Sequence, residues 1–92
     1  MIIHEMVWDA RNEAHISEHR VIPVEVEELI FEDAPHYRRG PGKDAYHVYG
    51  FTGSGRYLFL VLRYLGRNRG RIITARDMAN KERRLYLRVP RR

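Results

Sequence analysis

The sequence predicts an α+β domain: an antiparallel sheet of about four to five strands, two N-terminal helices on one face, and one C-terminal helix. Three observations lead there. The periodic segments run strand, helix, helix, several strands, helix, and the later strands are joined by connections of hairpin length. Tyr57 to Leu65 carries a single charge, Arg63, and is apolar on both parities, which suits the covered centre of a sheet. Val26, Leu29 and Ile30 make an apolar stripe with Glu25, Glu28 and Glu32 on the opposite side, so the second helix is amphipathic. Without repeats or linkers, residues 1–92 make one domain.

In chain order, Ile2 to Trp8 is short and mostly apolar, enough for one strand. Asp9 is placed to cap a helix by accepting from backbone N–H groups two or three residues on. Ala10 to His19 has no Gly or Pro and reads as that helix, with Asn12, His15, Ile16 and His19 on one face. Polar side chains beside a buried Ile16 need partners or a cleft. Pro23 suits the first turn of the second helix, where its missing N–H has no intrahelical use, and Asp33-Ala34-Pro35 ends that helix. His36 to Asp44, with Arg38-Arg39-Gly40-Pro41-Gly42-Lys43, is a basic loop or an edge strand and turn. Ala45 to Thr52 alternates as a strand, with Tyr46, Val48 and Gly50 on one side and Ala45, His47, Tyr49 and Phe51 on the other. Thr52-Gly53-Ser54-Gly55 is a hairpin turn. Past the central run, Gly66 to Gly70 turns the chain into a last strand, Arg71 to Ala75. Asp77 is expected to cap a final helix from Met78 to about Val89, anchored by Met78, Leu85 and Val89, before a frayed tail, Pro90-Arg91-Arg92.

The net charge of +5 hides an asymmetry. Residues 1–34 set nine acids against Arg11 and Arg20; residues 35–92 set fifteen Lys and Arg against Asp44, Asp77 and Glu82. The basic part suits a polyanion. No apolar run approaches the ~20 residues of a membrane span. The acid in MIIHEMVWDA argues against a signal peptide, so a cytoplasmic protein is expected. The absence of cysteine excludes disulfides, thiolate zinc sites and a cysteine nucleophile.

Trp8-Asp9, Asn12, His15-Ile16, His19, the Val24–Glu28 helix, Arg71-Ile-Ile-Thr-Ala-Arg-Asp-Met78 and Glu82-Arg-Arg-Leu-Tyr86 together resemble the BrnT toxins, small members of the RelE-like group of bacterial type II toxins. The resemblance spans Trp8 to Tyr86, and its last block is the most specific part. It implies metal-independent RNA cleavage that arrests translation. It also implies a ribbon-helix-helix (BrnA-like) antitoxin as partner in a hetero-oligomer, with no cofactor. Where the family commonly has a Gly after the histidine ending the first helix, this chain has Arg20; where a lysine often stands near Asn12, it has Arg11.

Cleaving RNA without a metal needs a base for the ribose 2′-OH, cations on the phosphate, and an acid for the 5′ oxygen. Arg76 and Arg63 are assigned to phosphate clamping, since guanidinium donates bidentately to phosphate oxygens. An ion pair of Arg76 with Asp77 or Glu82 is the structural alternative. His19 is the candidate base, through an imidazole's suitability near neutral pH. Glu82 and Tyr86, a turn apart, either orient an arginine or donate to the scissile phosphate, or else fasten the helix to the sheet. Arg38, Arg39, Lys43, Arg67, Arg69 and Arg71 supply backbone affinity, and Tyr46, Tyr49 or Tyr57 could stack on bases. His15 and His19, four apart, match half of a metal site, but no third ligand stands out and none is assigned. A catalytically inactive RNA- or protein-binding module of the same fold is the alternative function.

Overall fold

The apolar run at the centre of the sequence is the centre of the sheet. In the computed structural model, which describes residues 1–90, the chain forms β1 (Glu5–Val7), α1 (Ala10–Ser17), α2 (Pro23–Phe31), β2 (His36–Arg39), β3 (Ala45–Phe51), β4 (Tyr57–Gly66), β5 (Arg69–Asp77) and α3 (Asn80–Arg88). Arg91 and Arg92 of the expected tail lie outside the described residues. The five strands are ordered β1-β5-β4-β3-β2. The class, the strand number and the placement of three helices are those the sequence predicts. β2 resolves the loop-or-strand alternative in favour of an edge strand.

One pairing departs from an all-antiparallel sheet: β1 runs parallel to β5, with Glu5, Met6 and Val7 opposite Arg69, Gly70 and Arg71. Hairpin connections impose antiparallel pairing on β2 to β5. No such turn joins β1 to β5, because both helices and three strands lie between them in the chain.

Pleat alternation divides the side chains of β4 between two unlike faces. Leu58, Leu60 and Leu62 point toward α1 and α2 and join Ile16, Val21, Val26, Leu29, Val48 and Ile72, all fully buried. Gly50 admits α2 here, since a Cβ on it would lie 2.5–2.8 Å from the Leu29 side chain. The other face holds a smaller cluster, Tyr49, Phe59 and Tyr86, flanked by Tyr57, Val61, Met78 and Leu85. That cluster seats α3.

Local chemistry sets the ends of the elements. Asp9 accepts from the N–H groups of Arg11 and Asn12, while the Asn12 side chain accepts from the Asp9 N–H, a reciprocal cap that explains the burial of Asn12. α1 stops at Ser17 rather than His19 because Arg20 takes a left-handed conformation, φ 60°, and Val21 N–H returns to the Ile16 carbonyl. Gly66 to Gly70 contracts to a two-residue turn in which Arg67 and Asn68 have φ 53° and 58°, the left-handed pair of a type I′ hairpin. The last strand consequently begins at Arg69 and continues to Asp77, past the expected Ala75. Asp77 is therefore not the helix cap. It remains in β5 and binds Arg56, whose guanidinium also holds Glu25 and the Arg20 carbonyl. Glu82 starts α3 instead, accepting from Ala79 N–H at 2.8 Å.

Candidate functional site

A cleft of about 620 Å³ opens between α3 and the face formed by β2, β3 and β4. Its walls come from strand parity and helical spacing. Arg38 lies opposite His47 in the β2–β3 ladder, and Tyr49 opposite Phe59 in the next, so these side chains share one face of the sheet. Phe59 lies opposite Arg76 on β5. From above, Lys81, Arg84, Leu85 and Arg88 recur at the three- and four-residue spacing of one helix face. Tyr49 and Phe59 are buried beneath α3 and form the floor.

Arg76 and Glu82 are locked together. The two guanidinium Nη atoms donate to the two carboxylate oxygens at 2.8 Å each, the bidentate geometry that suits this pair. The guanidinium carbon also lies 4.4 Å from the centre of the Phe59 ring, a cation–π contact. Arg76 holds the Glu82 carboxyl below its ordinary range, with the Ala79 N–H and the His47 side chain acting in the same direction against burial. Glu82 in turn raises the Arg76 pKa. His47 on β3 and Glu82 on α3 line the same cleft from its two sides. The imidazole is fixed by an edge contact with Phe59, ring centres 5.1 Å apart, and by Gly40, where a Cβ would lie 3.0 Å from the ring.

The structure brings Arg38, Arg76 and Glu82 into this cleft, together with Tyr49, one of the tyrosines offered for base stacking. It disperses the others. Arg63 is exposed on the same face but farther along β4, opposite Ala45 and Arg71, and lines no part of the cleft. Arg71 is bound to Asp9 at 2.6 and 3.3 Å at the other end of the sheet. The expected basin of Arg63, Arg71 and Arg76 does not form: the pleat aligns Arg63 with Arg71, and a β-bulge between Val61 and Leu62 and the length of β5 separate both from Arg76. His19 follows the end of α1, its ring 6.0 Å from that of His15, and is not the histidine of the cleft. Tyr86 is 2 % exposed, with its hydroxyl 3.5 Å from Asp33, and anchors α3 beneath the surface.

The other basic residues assigned from the sequence lie apart from one another. Lys43 and Arg67 are exposed in separate turns. Arg39 turns to the opposite face from Arg38, over the Tyr46 ring. Arg69 is half-buried beside β1, opposite Glu5 in the parallel register. Among the described residues, no three His, Cys, Asp or Glu side chains are grouped to hold a metal ion, and no helix is long and apolar enough to cross a membrane.

The sequence reading missed His47, Lys81, Arg84 and Arg88. The signal for His47 was its parity with Tyr49 and Phe51 on a strand opposite a basic one; for the helix, it was a cation at every turn from Lys81 to Arg88. Comparison of the chain with protein-family models, with curated proteins and with solved structures gives no match.

Proposed function

We propose that the protein is a metal-independent endoribonuclease that works in the cleft beneath α3. The observation that carries the reading is one histidine and one carboxylate facing each other across a groove that also contains Arg38, Arg76, Lys81, Arg84 and Arg88. Five cations suit a phosphodiester backbone, and two of them, Arg38 and Arg76, come from the rigid sheet.

In the reaction, the incoming phosphate competes for the Arg76 fork and frees the Glu82 carboxylate. Glu82 takes the proton of the ribose 2′-OH, and the 2′ oxygen attacks phosphorus. The P–O5′ bond breaks with its electron pair on the 5′ oxygen, which takes a proton from the imidazolium of His47. The products are a 2′,3′-cyclic phosphate and a 5′-hydroxyl; no water is consumed. Each proton-transfer group contributes about 10²–10⁴ in rate. In this assignment Glu82 takes the base's role that the sequence gave to His19, His47 is the acid, and Tyr86 is structural.

The resemblance to the BrnT toxins extends the proposal to a cytoplasmic toxin that arrests translation and is neutralised by a ribbon-helix-helix antitoxin. Expression in a bacterium with and without the neighbouring gene tests that part: arrest relieved by the neighbour supports it, and growth in both cultures contradicts it. Incubation with single-stranded RNA in excess EDTA tests the chemistry: cyclic-phosphate ends are expected from the unaltered chain and not from His47→Ala. A second reading, an RNA-binding module without turnover, is favoured by how completely Arg76 and Glu82 satisfy one another. RNA binding without any cleavage selects it.

A further inference from the structure

On the other face of the sheet, past the helices, three tyrosines from three adjacent strands line a hollow of about 460 Å³: Tyr37 of β2, Tyr46 of β3 and Tyr64 of β4. A volume of a few hundred cubic ångströms is the scale of a small-ligand site. Asn68 fixes one wall, since its N–H donates to the Tyr64 hydroxyl at 3.0 Å while its side chain donates to the Ile2 carbonyl. Arg39 completes the rim, its guanidinium carbon 5.4 Å from the Tyr46 ring centre. Among the described residues the Tyr37 and Tyr46 hydroxyls have no hydrogen-bond partner, so the hollow offers aromatic surface, free donors and one cation.

The hollow and the cleft meet at one edge of the sheet. β2 is the edge of the sheet, and its neighbouring residues Arg38 and Arg39 point to opposite faces, one into the cleft with His47 and the other into the hollow with Tyr46. A chain of phosphates leaving the cleft over that edge meets a guanidinium on each side. We propose that the tyrosine hollow binds an unpaired base of the same RNA strand that occupies the cleft, stacking it on Tyr46 while Arg39 holds its phosphate. This inference rests on the RNA reading of the cleft. Stacking of this kind changes affinity by roughly five- to a hundred-fold per base.

The test uses the His47→Ala chain, so that RNA stays intact, with fluorescent single-stranded RNA of two lengths: four nucleotides, to fill the cleft alone, and twelve, to pass the β2 edge. Tyr46→Leu and, as an exposed variant that leaves the core untouched, Arg39→Glu are compared with Arg84→Ala; thermal unfolding checks that each variant is folded. The expected result is that Tyr46→Leu and Arg39→Glu weaken the twelve-mer about tenfold and leave the four-mer unchanged, whereas Arg84→Ala weakens both. If Arg84→Ala weakens both lengths while the hollow variants change neither, the hollow is overturned and the cleft stands. If neither RNA binds any form, the RNA reading fails and the hollow with it. A free mononucleotide that depends on Tyr46 and Arg39, with no dependence of RNA binding on length, replaces the strand by a small ligand and also overturns the inference.

Discussion

The two faces of one sheet are built to different rules. Under α1 and α2, Leu58, Leu60 and Leu62 meet Val26, Leu29 and Ile16 in a continuous core free of charge. Under α3, the buried cluster among the described residues is Tyr49, Phe59 and Tyr86, and the helix also makes the Arg76–Glu82 pair and sets Arg83 over the Tyr57 ring at 4.1 Å. One face supplies stability. The other is left thinly covered, so polar groups remain within reach of a ligand.

Leucine truncation gives the sharpest contrast between the faces. Leu60→Ala, at the centre of the large core, is expected to lose about 2–5 kcal/mol in denaturant unfolding. Leu85→Ala, half-buried in α3, is expected to lose on the order of 1 kcal/mol. Equal losses would erase the distinction between the faces. On the cleft side the expected effect falls on binding: Arg84→Ala with Arg88→Ala should change stability by less than about 0.5 kcal/mol. The same double variant should reduce the salt slope of RNA binding by roughly 1–2. A stability loss matching that of Leu60→Ala would make these arginines structural.

Glu82 makes the cleft face sensitive to acid. Its folded pKa lies below its ordinary value, chiefly through Arg76, so its contribution is complete above that ordinary value and is lost as pH falls through the folded one. At the far end of the sheet Asp9 behaves alike: Arg71 and the α1 N–H groups lower its pKa from 3.8 to about 2, so its contribution is lost between those pH values. Carboxyl carbon NMR titration should find Asp9 with a midpoint near 2, and Glu82→Gln should flatten acid unfolding near and below the ordinary glutamate range. A midpoint for Asp9 at 3.8 contradicts the pairing. The smallest expected effect is a gain: Arg20→Gly removes a Cβ from a left-handed residue and should stabilise by about 0.5–1 kcal/mol, read as a raised Tm.

Much of the fold was legible in the sequence because it follows from periodicity. The doubly apolar Tyr57–Leu65 run lies on the central strand, and Val26, Leu29 and Ile30 form the buried stripe of α2. Parallel pairing of β1 was not legible, since no local pattern records which strand a distant edge joins. Neither was the helix start after Asp77, which Arg56 draws away through Glu25. The candidate site was half legible. Arg76 and Glu82 are close in the chain and lie at one strand–helix junction, but His47 enters through cross-strand register, fixed only when β3 pairs with both β2 and β4. That Arg63 and Arg71 lie away from the cleft was hidden for the same reason: composition reveals a cation but not the level of the pleat at which it lies.

The most direct test of the account is to map a non-cleavable RNA onto the two faces by amide NMR. A 2′-O-methyl oligonucleotide of four nucleotides, titrated into the isotope-labelled chain, is expected to shift Arg38, His47, Arg76 and the Lys81–Arg88 segment and to leave Val26–Ile30 of α2 unmoved. Shifts centred on α1 and α2, or none at all, would contradict the claim that the thinly covered face is the working one.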